Sequence, residues 1–181
     1  MSDGSFNQPV RSGRRRSFVL LAFLYGTLAS AQILDWEAAI GETGVGRSTF
    51  TSVVTRPDNG ATQTLAAVAA GFFDGTFTLG TQSLNNPGGV DGVVARFEVD
   101  PAAGTGWIAT WLLQILSSSG ESRINDIALD QFGRFFVTGT FLGEVNFGAV
   151  ITLQSPGTES GFVAWGDVDG GTWLGAFETP G

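Results

Sequence analysis

The sequence predicts an all-β protein: two four-stranded antiparallel, propeller-like sheets plus one leading strand, preceded by an N-terminal signal helix. Three observations lead to this fold class. Short apolar runs rich in Phe, Val and Thr are separated by Gly, Asp and Pro, which is typical of strands joined by tight turns. The pattern occurs twice along the chain. Glycine is abundant but has no triplet period, so a collagen-like chain is excluded.

The leading strand and the first copy of the pattern occupy the chain up to residue 116. The leading strand is predicted at residues 33–40, and the copy itself has strands at residues 50–56, 64–73, 92–99 and 107–116. Loops are predicted at residues 41–48 and 80–89, and Pro-Asp-Asn-Gly predicts a turn at residues 57–60. A helix over residues 64–70 is the alternative, because Leu and Ala favour helices.

The second copy is the clearer one. Its strands are predicted at residues 124–129, 135–141, 162–168 and 172–177. Turns rich in Asp and Gly separate the first pair and the last pair, and a long Gly, Pro and Ser connection joins the second strand to the third. Together these strands predict one up-and-down sheet.

The two copies align through their glycines. Residues 70–80 line up with residues 138–148, so that Phe77 matches Val145 and Leu79 matches Phe147. Residues 91–96 match residues 160–165 after a shift of one residue. The period, roughly 65–75 residues, is longer than the ~40–50 residues of common propeller repeats. The repeat also favours a strand over a helix at residues 64–70, because its equivalent at residues 135–141 is strand-like.

Residues 1–31 are predicted to be an export signal. A basic segment ending at Arg16 precedes an apolar run at residues 18–28, of roughly the 7–15 residues that such signals use. Ala29-Ser30-Ala31 places the cleavage between Ala31 and Gln32, which leaves residues 32–116 and 117–181 as the two repeat units. An uncleaved anchor is the alternative. Arg15-Arg16-Ser17-Phe18-Val19 also resembles a twin-arginine motif, so the export route stays open.

Composition removes several kinds of chemistry. The chain has no Cys, His or Lys, which excludes thiol catalysis, disulfides, a Ser-His-Asp arrangement and Schiff bases. Without residues 1–31, five arginines face sixteen acidic residues. An acidic body disfavours nucleic acids, and it disfavours anionic membranes once the signal is removed. No cofactor is expected.

A resemblance to a known family lies in residues 125–140, NDIALDQFGRFFVTGT. This segment resembles the core motif of the bacterial β-propeller repeats called SBBP repeats: apolar-Ala-apolar-Asp, then Gly, then apolar-apolar-Val-Thr-Gly. Residues 161–164 resemble the family's Asp-Ala-Phe-Val-Ala strand without its Asp, which is Asp91 in the first copy. The resemblance implies propeller-like blades in an exported bacterial protein and no particular activity.

Propellers close with typically ~4–8 blades, whereas this sequence supplies two blades and a leading strand. Two stacked blades would leave aromatic faces in water, which soluble monomers rarely tolerate. We therefore expect further blades from the same or another chain, or self-association, as partners. The side chains expected on these faces are those of Phe77, Phe141, Phe147, Phe162 and the tryptophans.

Asp167 and Asp169 are the candidate metal ligands. With Gly170 and Gly171 they resemble the start of a Ca²⁺ loop, but the third acidic position and the distal Glu are missing. The alternative, which the sequence favours, is a hairpin turn stabilised by Asp. Asp126 and Asp130 are likewise expected to cap turn amides. The carboxylate pairs Glu98/Asp100 and Asp35/Glu37 could perform acid–base work only if a pocket brought them together.

Candidate binding residues lie in two loops that occupy equivalent positions, at residues 41–48 and 117–123. The first carries Glu42 and Arg47, and the second carries Glu121 and Arg123. Repeated loops on one rim are where propellers usually bind partners. A structural Arg–Glu pair between blades is the alternative.

These observations predict an exported, non-enzymatic repeat module, secreted, periplasmic or on the cell surface. Such a module would bind a protein or another ligand at the bacterial surface, or would belong to a larger envelope protein. Two alternatives stay open: a carboxylate-dependent glycan hydrolase or lyase of the propeller type, and a degenerate, truncated gene product.

Overall fold

The computed structural model describes residues 42–44, 46–56, 66–99, 106–118, 120–149 and 151–179. Every regular element in these residues is a β-strand, so the all-β prediction is confirmed. Across the same residues, no helix is long and apolar enough to span a membrane. The predicted signal helix, its cleavage between Ala31 and Gln32, the leading strand and the turn at residues 57–60 lie outside the described residues.

Eleven strands are present in the described part of the chain. They are β1 (Glu42–Thr43), β2 (Ser48–Arg56), β3 (Ala66–Leu79), β4 (Gln82–Val99), β5 (Trp107–Ser117), β6 (Glu121–Leu129), β7 (Arg134–Leu142), β8 (Glu144–Phe147), β9 (Ile151–Gln154), β10 (Ser160–Asp167) and β11 (Thr172–Thr179). The eight strands predicted within the two repeat copies are all found here, with shifted ends.

The strands form two layers. The N-terminal sheet has the order β2-β3-β4-β5-β8-β9, with β1 beside the end of β3. The C-terminal sheet has the order β6-β7-β10-β11 and is antiparallel throughout. A parallel bridge between Val90 and Glu121 links the sheets, so the strands form one continuous sheet that curves into a nearly closed barrel. At the closing side, Cα atoms of β9 and β11 lie within 8 Å of each other.

The main core lies between the two sheets. Along β7, Phe135, Val137 and Phe141 point inward and are buried, while Arg134 before them and Thr138 between them are exposed. This alternation is what a strand with one covered face requires. Ile124, Ile127, Phe162 and Ala164 from the C-terminal sheet pack in the same cluster with Val68, Val94 and Ile115 from the N-terminal sheet.

A second core covers the opposite face of the N-terminal sheet. Phe73, Phe77, Leu79, Val93 and Ala95 are buried there. The N-terminal sheet is therefore buried on both faces, which explains why β3 begins with an almost continuous apolar run instead of an alternating one.

The two repeat copies share their irregularities. A bulge interrupts β2 between Phe50 and Ser52, and the same bulge interrupts β6 between Ile124 and Asp126. A glycine faces each bulge, Gly71 on β3 and Gly139 on β7. A side chain at either position would collide with a backbone carbonyl of the bulged strand. These glycines are required by close backbone approach.

In each repeat copy, the segment that follows the core of the second strand pairs with a strand outside the four strands of that copy. In the second copy, the β8–β9 hairpin joins the N-terminal sheet, where Phe147 pairs with Ile115 at the end of β5. In the first copy, the end of β3 pairs with β1, where Leu79 faces Glu42. Leu79 and Phe147 are equivalent in the sequence alignment, so each copy reaches back to the strand that precedes it.

Two sequence predictions about connections were wrong. Residues 80–89 were expected to form a loop, yet β4 begins at Gln82, directly after a two-residue turn in which Gly80 has φ 58°. The connection between β7 and β10 was also expected to be irregular, yet it contains β8 and β9. Hydrogen bonding to neighbouring strands outweighs the turn-forming composition of both segments. As a result, the β8–β9 hairpin of the second copy belongs to the N-terminal sheet, and the two repeat copies do not form separate sheets.

Candidate functional site

Three of the four candidates that were predicted in loops lie at one rim of the sheets, near Asp74. Glu121 and Arg123 belong to β6, so the loop predicted at residues 117–123 was wrong for these two residues. The Oδ1 of Asp74 accepts the backbone N–H of Arg47 at 2.5 Å, and its Oδ2 lies 3.2 Å from the Nε of Arg47. The guanidinium of Arg123 lies over the ring of Phe72, 4.7 Å from its centroid, and contacts Glu121 at 2.9 Å. Residues of both repeat copies therefore meet at this rim.

The rim is solvated, and its charges are engaged with one another. The backbone N–H of Arg47, and then its guanidinium, hold the pKa of Asp74 below its ordinary value, against the opposing effect of desolvation; the charge of Arg123 contributes least. Arg47 is 89% exposed, so solvent screens its ion pair with Asp74 and the pair contributes little to stability. The rim offers a partner the guanidinium groups of Arg47 and Arg123, of which that of Arg123 lies over the ring of Phe72.

Asp74 was missed by reasoning from the sequence. It follows two phenylalanines and precedes Gly75 at a bulge of β3, and this position next to a bulge was the available signal. The fourth candidate, Glu42, contributes its backbone to β1, while its side chain lies outside the described part of the structure.

The two candidate metal ligands lie at the turn between β10 and β11. The carboxylate of Asp167 accepts the N–H groups of Asp169 and Gly170, each at 3.1 Å. Asp169 lies 3.4 Å from the guanidinium of Arg96 on β4. These are the contacts of a turn cap and of a link between the sheets. No group of three acidic residues that could hold a metal ion occurs among the described residues.

Asp130 and Asp126 also bind backbone amides. Asp130 accepts the N–H groups of Phe132 at 2.8 Å and Arg134 at 2.9 Å, and it pairs with the Nε of Arg134 at 2.6 Å. Desolvation alone would raise the pKa of Asp130, but these contacts outweigh it and lower the pKa. The hydroxyl of Ser52 donates to Asp126 at 2.7 Å, which links β2 to β6 and is the main cause of that carboxyl's lowered pKa.

Of the carboxylates considered for acid–base work, only Glu98 lies in the described part of the structure. It pairs with Arg96 at 2.5 Å near the end of β4. Asp100, Asp35 and Glu37 lie outside the described part.

A buried polar network joins the two repeat copies. Asp91 is fully buried, and its Oδ1 accepts the N–H of Ser117 at 2.9 Å while its Oδ2 accepts the side-chain amide of Gln114. The hydroxyl of Ser117 donates to that of Ser122 at 3.1 Å, at the start of the second copy. Burial raises the pKa of Asp91, although the hydrogen bonds from Gln114 and Ser117 act against the shift. The network holds β5 against β6, so its first role is structural.

Two tryptophans lie between the sheets. The indole N–H of Trp111 donates to the carbonyl of Val168 at 3.0 Å, and that of Trp173 donates to the carbonyl of Gln114 at 3.3 Å. Both rings pack against Phe135. Their place is therefore the core between the repeat copies.

An apolar surface remains on the outer face of the C-terminal sheet, which we define by Phe136, Thr138, Val163, Trp165 and Phe177. Cross-strand pairing puts these five side chains on one face, opposite the main core. Phe177 is 50% exposed, and its ring lies 6.3 Å from that of Trp165.

The prediction of aromatic side chains in water was wrong for its four phenylalanines, whereas Trp165, one of the predicted tryptophans, does lie on the outer face. Phe77, Phe141, Phe147 and Phe162, which were expected on the exposed faces, are all buried. Each lies on a strand face that another element covers, so burial follows from strand register and cannot be derived from composition.

A scan against protein-family models finds no matching family, and the chain matches neither a curated protein nor a solved structure. The resemblance to SBBP repeats therefore stays a prediction from the residues that carry it.

Proposed function

We propose that this protein is an exported, non-enzymatic repeat module of the cell exterior that acts by binding another protein. The observation that carries the proposal is the outer face of the C-terminal sheet. Its tryptophan and phenylalanine side chains are of the types enriched at protein–protein interfaces. Burying the half-exposed ring of Phe177 would supply a favourable apolar contact at such an interface.

The stacked sheets support a propeller-like interpretation of the module. The hydroxyl of Thr51 on β2 donates to the carbonyl of Ile124 on β6 at 2.8 Å, so the first strands of the two repeat copies lie together. Trp111 on β5 reaches the turn before β11, so the last strands also correspond. Like sheets stacked in matching strand order are what adjacent propeller blades require. The resemblance of residues 125–140 to SBBP repeats supports the same interpretation.

Export is the second part of the proposal, and the basic and apolar segments of residues 1–31 support it. An acidic body suits a protein that stays soluble after export. The half-exposed ring of Phe177 on the outer face is then available to a partner.

The experiment that tests this function is cell-surface retention in a bacterial host. The full chain and its Phe177→Glu variant are expressed, and the amounts in the envelope fraction and in the culture medium are compared. We expect wild-type protein in the envelope fraction and a shift of the variant to the medium. The matched control is Ile108→Glu, which alters a 41% exposed apolar side chain on β5 of the N-terminal sheet and should leave retention unchanged.

Equal distribution of wild type and Phe177→Glu would contradict the proposal. Release of reducing ends from envelope glycans by the wild-type protein would favour the glycan hydrolase alternative, and release of unsaturated ends would favour the lyase. Circular dichroism of each variant verifies that the sheets are intact.

A further inference from the structure

We infer that the partner of the outer face is a further four-stranded sheet of this same repeat, which docks as the C-terminal sheet docks on the N-terminal sheet. The inference rests on the proposed function, because it names the partner of the same face. Three correspondences between the two repeat copies carry it.

The first correspondence is a cross-strand pair. Val94 pairs with Leu113 in the first copy, and Val163 pairs with Phe177 at the equivalent place in the second. Val94 and Leu113 pack in the main core, where the C-terminal sheet covers them. Phe177 is 50% exposed in the described structure. Val163 and Phe177 thus form an apolar pair on the second sheet at the position where, on the first sheet, Val94 and Leu113 contact the neighbouring sheet.

The second correspondence is a tryptophan on the receiving face. In the first copy Trp111 on β5 pairs with Arg96 on β4. The equivalent pair in the second copy is Trp165 on β10 with Gly175 on β11, so the tryptophan is on the other strand of the pair. The Trp165 ring lies where a side chain at Gly175 would have to be. Both sheets therefore offer one indole at this position.

The contacts of Trp111 in the first copy show which residues a docking sheet needs opposite Trp165. Trp111 donates to the carbonyl of Val168, and its ring lies against Gly171, which has φ 58°. A side chain at Gly171 would meet the ring within 3 Å. A sheet docked on Trp165 is therefore expected to place a glycine-containing turn, equivalent to residues 168–171, over this indole.

The third correspondence is an open strand edge. Ile115 pairs with Gly92 on one side and accepts Phe147 of the β8–β9 hairpin on the other. Thr179 pairs with Gly161 at the equivalent place, and in the described residues β11 pairs with β10 alone. A docking repeat would extend β11 with its own hairpin, so the contact combines an apolar face with strand addition.

The test is a chain with a third repeat, made by repeating residues 117–181 after Gly181. Hydroxyl-radical footprinting measures the solvent exposure of Phe177 and Trp165 in the original and extended chains. We expect the reactivity of both side chains to fall several-fold in the extended chain, and its melting temperature to rise. The matched control carries Phe177→Glu in the original second copy of the extended chain, which should prevent the rise.

Unchanged reactivity of Phe177 and Trp165 in a folded extended chain would overturn the inference. Sedimentation velocity of the original chain supplies the second outcome: a dimer that Phe177→Glu dissociates would make a second copy the occupant and would also overturn it. If envelope retention depends on Phe177 while the third repeat leaves the face exposed, the partner assignment fails and the proposed function stands. If retention does not depend on Phe177 but the added repeat covers the face, the proposed function fails and the partner assignment stands.

Discussion

The N-terminal and C-terminal sheets derive from the same sequence pattern, yet only one of them is buried on both faces. On the N-terminal sheet, Val94 faces the main core and Phe73 faces the second core, and both are fully buried. On the C-terminal sheet, Phe135 is fully buried toward the N-terminal sheet, whereas Phe177 on the opposite face is half exposed. Equivalent strand positions therefore have different energetic roles, according to whether another sheet covers them.

The largest expected effect on stability concerns two neighbouring phenylalanines of β7. Phe135→Ala removes a fully buried ring that contacts Trp111 and Trp173 between the sheets. We expect it to lower the free energy of unfolding by about 3–5 kcal/mol. Phe136→Ala removes a ring of the outer face that interacts with the Arg134 guanidinium, and should cost about 1 kcal/mol. Urea unfolding of both variants measures the difference; equal losses would mean that both faces of the strand are covered.

A smaller difference is expected for the two equivalent tryptophans. Trp111→Phe removes the indole N–H that binds the carbonyl of Val168, and should cost about 1–3 kcal/mol because a partly buried acceptor loses its partner. Trp165→Phe keeps an aromatic ring on the outer face, and should change stability by about 0.5 kcal/mol or less. Thermal unfolding distinguishes the two. A larger loss for Trp165→Phe would show that its ring is already part of an interface.

The buried carboxylate Asp91 provides a pH-dependent test, since the second copy has Ser160 at the equivalent position. The pKa of Asp91 is raised above 3.8, so the folded state binds the proton more tightly than the unfolded state. Its contribution to stability is therefore full below 3.8 and is lost as the pH rises through the folded pKa. An asparagine at this position does not titrate, so the Asp91→Asn variant should not lose stability in this way and should be more stable than wild type at neutral pH. The side-chain amide of Gln114 would have to flip, so that its oxygen accepts the new amide N–H.

Urea unfolding of wild type and Asp91→Asn from below pH 3.8 to neutral pH checks this prediction. The lowered pKa values of Asp74, Asp126 and Asp130 act in the opposite sense, because their stabilisation is lost as the pH falls through their folded values. Those three groups are the same in both proteins, so the difference between the two curves reports Asp91. Parallel curves would contradict the prediction.

The smallest effect is expected at the β10–β11 turn. Asp167→Ala removes the acceptor of two turn amides and should cost about 0.5–1.5 kcal/mol. Asp169→Ala removes one exposed partner of Arg96 and should cost less than about 1 kcal/mol. Thermal unfolding measures both. If added Ca²⁺ raised the melting temperature of the wild type but not of Asp167→Ala, the turn would be a metal site instead of a cap.

Strand positions were the part of the fold that local sequence could predict. The run predicted at residues 135–141 is the strand Arg134–Leu142, and the run predicted at residues 172–177 is the strand Thr172–Thr179. Alternation of apolar residues and turn chemistry are local properties, so the chain itself reveals them. The strand Gln82–Val99 was missed over its first half because Asn-Asn-Pro-Gly-Gly has the composition of a loop.

The candidate site was predicted less well than the strands. Arg47, Glu121 and Arg123 do lie at one rim, but Glu121 and Arg123 belong to β6 and not to the predicted loop. Asp74, which binds Arg47, comes from a strand that the loop comparison did not include. An exposed aromatic face was predicted, but the four phenylalanines named for it are buried, and Trp165 is the named residue that lies there. Which of two adjacent phenylalanines faces solvent depends on the strand register, and a shift of one residue reverses the answer.

By itself, the sequence determined that this protein is built of strands and that the pattern is written twice, with glycines aligned between the two copies. These follow from steric and apolar requirements that act within a few residues. Only the tertiary structure decided that the β8–β9 hairpin joins the other sheet, that Trp111 reaches the next repeat, and that one sheet keeps an uncovered face. Each of those depends on contacts between segments far apart in the chain, where many pairings satisfy the same local pattern and packing selects one.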